Sequence, residues 1–307
     1  MLRKNLSEMI FEFTIKPVGP VLIKSGVEGG ADPTIPDMNF VRTIHPETKE
    51  QTVYLPGSSL KGTFRSYAEK ITNTVGLKCV DVVAKPDAYN DLKEKSNGAD
   101  DIIYKNSCCV SKLFGSQIFA SRITFKDAFP EGEVKIENRT NVSINRILSK
   151  VQAGPFNIEV VTNGSFRCKI FLRNFELWQV GLLGLVFRDL SQEKVKIGYA
   201  KTRGLGDVKI NLDEMQIDIF YSKPNYENAK MPGRVLGLDS LLSDKECQDY
   251  GIKTYGPLSL EIETNDPDGW GTHLHQKITD GKVTELFKEC VQSHWAKLIE
   301  QEAQNAG

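Results

Sequence analysis

Two short phrases carry the residue types needed to hold a chain of phosphates. One is Leu55-Pro56-Gly57-Ser58-Ser59-Leu60-Lys61-Gly62-Thr63-Phe64-Arg65, and the other is Tyr199-Ala200-Lys201-Thr202-Arg203-Gly204-Leu205-Gly206-Asp207-Val208. Each sets small residues beside fixed cations. The first reads as the end of a strand and the start of a helix, with Ser58 or Ser59 as cap and Gly57 at the turn. Lys61 and Arg65, four apart, then share a helix face and can reach successive phosphates. The second reads as a basic glycine loop running into a strand, where Gly204 lets a phosphate approach the backbone beside Lys201 and Arg203. Helix-start N–H groups with Lys and Arg bind phosphate without reading a base. The pair of phrases points to a polyphosphate ligand, RNA foremost.

A nucleotide-binding enzyme fits less well. The first phrase lacks the glycine-to-lysine spacing of a phosphate loop, and the second precedes a strand where a dinucleotide fingerprint precedes a helix.

The elements that must position these residues follow from periodicity. Residues 8–17 read as a first strand. Residues 59–75 place Leu60, Phe64, Tyr67, Ala68 and Ile71 at helical spacing. The polar stretch 80–107 reads as an insertion or loop. Arg122–Phe129 alternates as a strand, and 165–172 returns as another after a polar excursion that suggests a protruding hairpin. Leu177–Leu190 is an apolar helix, followed by the glycine loop and a strand over 207–212. Strand, helix, strands, helix, strand is the order of a ferredoxin-like, RNA-recognition-type α+β core with insertions. From Val283 an apolar stripe marks a terminal helix, which packs on its own domain or docks a partner.

The whole chain permits this. Its 307 residues are enough for a full core, as one large domain or one domain plus an appendage. The net charge of −1 looks poor for a nucleic-acid binder, but residues 211–307 carry −8 and residues 1–210 carry +7. A basic body with an acidic tail suits a polyanion on one face and a protein on another. The longest apolar run, Val180–Phe187, is too short for a bilayer. The start of the chain lacks a signal-peptide core, which predicts a cytoplasmic protein with free thiols or metal-bound cysteines rather than disulfides.

Five phrases in one order resemble a known family. They are the 55–65 phrase, Leu113-Phe114-Gly115, Arg139-Thr140-Asn141-Val142-Ser143-Ile144-Asn145-Arg146, Glu159-Val160-Val161 with Gly164 and Phe166, and Thr202-Arg203-Gly204-Leu205-Gly206. Together they resemble the backbone RAMP subunit of type III CRISPR effector complexes over about residues 8–212. The resemblance implies a ferredoxin-like palm over 1–212, a thumb over 138–165 and an acidic extension over 213–307. It implies guide RNA, target RNA, further RAMP-type subunits and a large subunit as partners. It also implies RNA contacts from Arg139 and Arg146 at the thumb base. In Gly29-Gly30-Ala31-Asp32 it implies a carboxylate supporting metal-dependent cleavage of target RNA, with Mg²⁺ or a similar ion as cofactor. Asp32 capping a turn before Pro33 is the plain alternative, and Asp37 is a weaker candidate.

Three departures from the family pattern matter. Cys79, Cys108 and Cys109 remain of a zinc-like set, but Ser111 replaces the second cysteine of a C-x-x-C pair, so a remnant finger with free thiols is favoured over zinc. Asn145 stands where relatives carry Asp. His273-x-His275 beside Trp270 lacks a visible third ligand and reads as a surface loop. Two other functions stay open within the same superfamily: a guide-processing endonuclease using His45, and a structural subunit that binds guide RNA without cutting.

Overall fold

The computed structural model describes residues 3–26, 38–77, 79, 88–220, 233–267, 269–279 and 281–306. Strand β1 (Ser7–Pro17) lies at the centre, antiparallel to β8 (Phe166–Arg173) on one side and to β9 (Val208–Phe220) on the other. It alternates buried Met9, Phe11 and Phe13 with half-buried Glu8, Ile10 and Glu12, which gives the sheet one packed face and one open face. Strand β4 (Ile123–Phe125) extends the sheet beyond β8, and β5 (Phe129–Pro130) also pairs with β8. The predicted single strand over 122–129 is therefore two short pieces.

Helix α1 (Gly57–Thr74) connects β1 to β4, and α5 (Leu177–Ser191) connects β8 to β9. The core order β9-β1-β8-β4 with helices on one face is the ferredoxin-like βαββαβ arrangement predicted from sequence. The short β2 (Arg42–Ile44) and β3 (Gln51–Val53) form a separate hairpin before α1.

Between β5 and β8 the chain rises as a two-stranded hairpin, β6 (Lys135–Ile144) and β7 (Val151–Asn163), whose register shifts at Lys135/Ile136 and again between Asn141 and Ile144. The polar composition here marks exposure. Part of the 80–107 insertion is helical where described: α2 (Ala88–Lys95) and α3 (Asp100–Lys105), followed by α4 (Cys109–Phe114). Buried Tyr89, Ile103 and Tyr104 hold those short helices against the core, so this part is not a loose loop.

The tail continues the same structure. β10 (Arg234–Val235), α6 (Leu238–Leu241), α7 (Asp244–Tyr250) and β11 (Leu258–Ser259) lead to β12 (Thr264–Asn265) and β13 (His273–Thr279). β13 pairs with β9, whose length carries it past residue 212, and β12 pairs with β13, completing a seven-stranded sheet. Helix α8 (Gly281–Cys290) and a π-helical turn over Val291–Trp295 then cover α5, and α9 (Ala296–Ala306) continues from that turn. Phe287 stacks on Phe11 and Phe187, and Trp295 on Trp178, at ring separations of 5.8–6.3 Å. The apolar stripe of the terminal helix is thus spent on its own core.

Candidate RNA interface

The first phrase folds with a different start from the one its serines suggest. Pro56 is the N-cap, and Ser58 and Ser59 lie inside the first turn of α1, with no side-chain cap. Proline suits a helix entrance because its fixed φ is already compatible and no N–H is lost. The Gly57 N–H is not free for a phosphate: it donates to Asp127 Oδ1 at 2.8 Å. Glycine is required there, since a Cβ would sit 2.4 Å from the Phe125 carbonyl oxygen.

Along the same helix, Lys61 and Arg65 line an open cleft of about 870 Å³, but they are not equivalent. Arg65 Nε donates to Glu69 Oε1 at 3.0 Å and its Nη1 to the Gly115 carbonyl at 3.1 Å. The Leu113-Phe114-Gly115 phrase explains itself here: two buried side chains seat a glycine, φ +80°, whose carbonyl anchors Arg65. Lys61 makes no ion pair among the described residues, and partial burial followed by Arg65 lowers its pKa.

The glycine loop is held from behind. Gly198 and Gly206 have positive φ, and a Cβ on either would lie 2.3 Å from a carbonyl oxygen, of Leu22 and Ile197 respectively. Gly204, φ +81°, faces open space. Lys201 and Arg203 occupy a single 3-10 turn between these points. Arg203 covers the Tyr199 ring at 5.2 Å. Lys201 has its pKa lowered by burial and then by Lys70, further along α1 than the first phrase, so the glycine loop and that helix approach as like charges. A group of cations without carboxylates is stabilised by an arriving polyanion.

Arg139 adjoins this group, with the Glu137 carboxylate two residues away on the same strand. It projects from β6 into a cavity of about 230 Å³ together with Asn141, Tyr199 and Arg203, and Met38 closes the wall. Glu159 fixes the arrangement from below. Its buried carboxylate accepts from Arg42 Nη1 and Nη2 at 2.7 and 2.5 Å and from Phe40 N–H at 2.9 Å. Burial opposes its charge, but these hydrogen bonds outweigh it and hold the carboxyl below its usual range. Arg146 is elsewhere. It lies in the turn joining β6 and β7, at the thumb tip rather than the base. Asn145 closes that turn by accepting from the Ile147 and Leu148 N–H groups at 2.9 and 3.0 Å, a role Asp would share. Ile144, Ile147, Leu148 and Val151 are all exposed around it, Ile147 at 91%.

Most basic residues flanking the thumb are occupied. On the open sheet face Arg173 pairs with Glu8 at 2.6 Å, Lys169 with Glu12 at 2.5 Å, and Arg167 with Glu131 at 2.5 Å. Charge counts along the sequence cannot separate these compensated cations from the uncompensated ones. The sequence also gave no role to Met38, Lys70 or Tyr199. Tyr199 alone had a usable signal, an aromatic directly before a basic glycine loop.

Asp32 and Asp37 lie outside the described residues, as does the Gly29-Gly30 pair. Cys79 contacts Cys108, Cys109 and the Thr72 hydroxyl; the Cys108 hydrogen bond favours its thiolate, but Cys109 and burial push it up to about 11. Cys108 caps α4, accepting from the Ser111 N–H at 3.5 Å and donating to its hydroxyl at 3.2 Å. Among the described residues, no three His, Cys, Asp or Glu side chains are set to hold a metal ion. His273 and His275 are not in a surface loop: they sit on β13, and both rings contact Asp218 Oδ1, at 2.9 and 2.8 Å. His45 accepts from the Glu47 and Thr48 N–H groups at 3.2 Å, closing a turn.

A ferredoxin-like palm with an inserted hairpin and a belt of uncompensated cations defines a class of protein built to grip a nucleic-acid backbone. The RAMP superfamily model matches residues 14–209, most of the chain, and the protein belongs to that superfamily. It is thereby a CRISPR-associated RNA-binding protein, with RNA and the other subunits of a complex as partners. No curated protein matches the chain. No helix among the described residues is long and apolar enough to cross a membrane.

Proposed function

We propose that this protein is a backbone subunit of a type III CRISPR effector complex, binding guide RNA and supporting cleavage of complementary target RNA. The observation that carries the binding half is the approach of Lys201 and Arg203 of the glycine loop to Lys70 of α1 and Arg139 of β6, three segments whose cations make no ion pair among the described residues, with Lys61 unpaired in the separate α1 cleft. Such a surface follows a sugar-phosphate backbone and ignores base identity. The thumb supplies the second element. An exposed apolar tip on a two-stranded arm is a wedge suited to parting stacked bases.

The cleavage half rests on Asp32. RNA carries its own nucleophile, the 2′-OH, so the protein must hold one nucleotide in line and remove a proton. A wedged thumb supplies alignment; the Asp32 carboxylate would take the proton or position a divalent ion. Mg²⁺ when bound would stabilise the charge developing on the scissile phosphate. A single carboxylate is a sparse outfit, so slow turnover is expected.

The test is an assembled complex given end-labelled target RNA with and without Mg²⁺. Cleavage that needs the ion and is lost in Asp32→Ala supports the reading. An intact target, or unchanged cutting by Asp32→Ala, removes the catalytic assignment of Asp32, and an intact target leaves a structural guide-binding subunit. Cleavage of precursor guide RNA that fails in His45→Ala would instead make it a processing endonuclease.

A further inference from the structure

A second basic cavity lies at the other end of β8, outside the belt just described. Its volume is about 540 Å³, and Arg3, Lys4, Arg122, Arg173 and Asn174 line it. Arg122 is the unusual member. It is only 3% exposed, and its Nε has no hydrogen-bond partner among the described residues. Its Nη1 donates to the Asn174 carbonyl at 2.5 Å, and the guanidinium lies 4.3 Å from the Tyr104 ring.

The internal counter-ion is poorly used. Glu176 stands 3.8 Å from Arg122, beyond hydrogen-bond reach, while its oxygens accept from Tyr104 Oη at 2.7 Å and Trp178 Nε1 at 2.9 Å. A buried guanidinium whose counter-ion lies out of hydrogen-bond reach keeps positive charge that an anion beside it would offset. At the rim, Arg173 pairs with Glu8 and Lys4 with Glu246, whereas Arg3 makes no ion pair among the described residues.

We propose that this cavity binds a phosphoryl anion, with Arg122 at its floor and Arg3 and Arg173 at its rim. Guanidinium groups present planar forks of donors that match phosphate oxygens. No aromatic side chain lines the cavity, so it reads charge and shape, not a base. The phosphoryl group has two sources. The cavity shares Ser121 with the α1 cleft, so an RNA strand leaving that cleft can supply it, and so can a small phosphorylated molecule.

The test titrates inorganic phosphate into the full-length chain, against chloride at equal ionic strength, by calorimetry and thermal shift. Saturable binding and a raised Tm are expected. Arg3→Gln and Arg122→Lys, which keeps the charge but removes the planar guanidinium, should each weaken affinity about tenfold. Should Arg122→Lys fail to fold, Arg3→Gln at its exposed site decides alone. Displacement of phosphate by AMP alone assigns a small ligand, and displacement by a 5′-phosphorylated oligoribonucleotide assigns a strand. Phosphate no better than chloride, or affinity unchanged in the variants, overturns the proposal. The chain carrying Lys201→Glu and Arg203→Glu should keep phosphate binding, so this site and the guide-RNA reading fail separately.

Discussion

Lys169 and Lys201 are the same side chain in opposite circumstances. Lys169 sits 2.5 Å from Glu12, directly across the sheet, and its charge is spent. Lys201 faces Lys70 and carries a pKa lowered first by burial. Charge reversal at Lys201 or Arg203 is therefore expected to weaken guide-RNA retention about tenfold or more and to reduce the salt dependence by about one phosphate contact each. Filter binding across a salt series measures both. Lys169→Gln should stay within about twofold of the parent, because no counter-ion release depends on it. Equal losses in both variants would show that net charge, not placement, governs binding.

At the scale of elements, two glycines in α1 make opposite predictions. A Cβ at Gly57 would lie 2.4 Å from the Phe125 carbonyl, where backbone cannot yield easily. Gly57→Ala should destabilise the protein by about 2–4 kcal/mol and shift α1 away from β4. Gly62 is exposed, and a Cβ there meets nothing within 4 Å. Gly62→Ala should stabilise by about 0.5–1 kcal/mol, as helix interiors favour alanine. Denaturant melts give both signs. If Gly62→Ala gains stability yet loses RNA, the bare backbone serves the ligand in the α1 cleft. Sequence periodicity found both helices of the palm and nearly all of β1. It missed the helices within 80–107, because their buried residues are few and spaced over short turns, and it misplaced the α1 cap, because Pro56 takes that position and Asp127 satisfies the Gly57 N–H from 70 residues away.

For the molecule as a whole, the terminal helices and the palm share one hydrophobic core. Removing residues 281–307 would expose Phe11 and Phe187 where Phe287 now stacks, so loss of cooperative thermal unfolding is expected. His294 gives this region a pH signature. It is buried, its Nε2 lies 3.0 Å from the Gly256 carbonyl, and burial lowers its pKa. The unfolded chain therefore takes up the proton first. Stability should hold above about pH 6.5 and fall as the pH drops toward the lowered native value. Asp239 nearby shifts the other way, raised by burial from its ordinary carboxylate value, so its contribution is fully present in acid and lost as pH rises through its native pKa. Titrating stability from pH 7.5 to 5 in the parent and in His294→Gln checks the sign: the variant should show a shallower loss.

The amino-acid order alone determined the palm's succession of strands and helices and the two basic glycine phrases, because periodicity and composition are local properties. It also carried the family likeness. Which cations remain free was decided only in three dimensions. Neutralisation depends on the strand placed opposite, and Glu8 and Glu12 meet Arg173 and Lys169 across more than 150 residues of chain. The same tertiary pairing brings α1, the glycine loop and the thumb base together, leaving their charges for a polyanion.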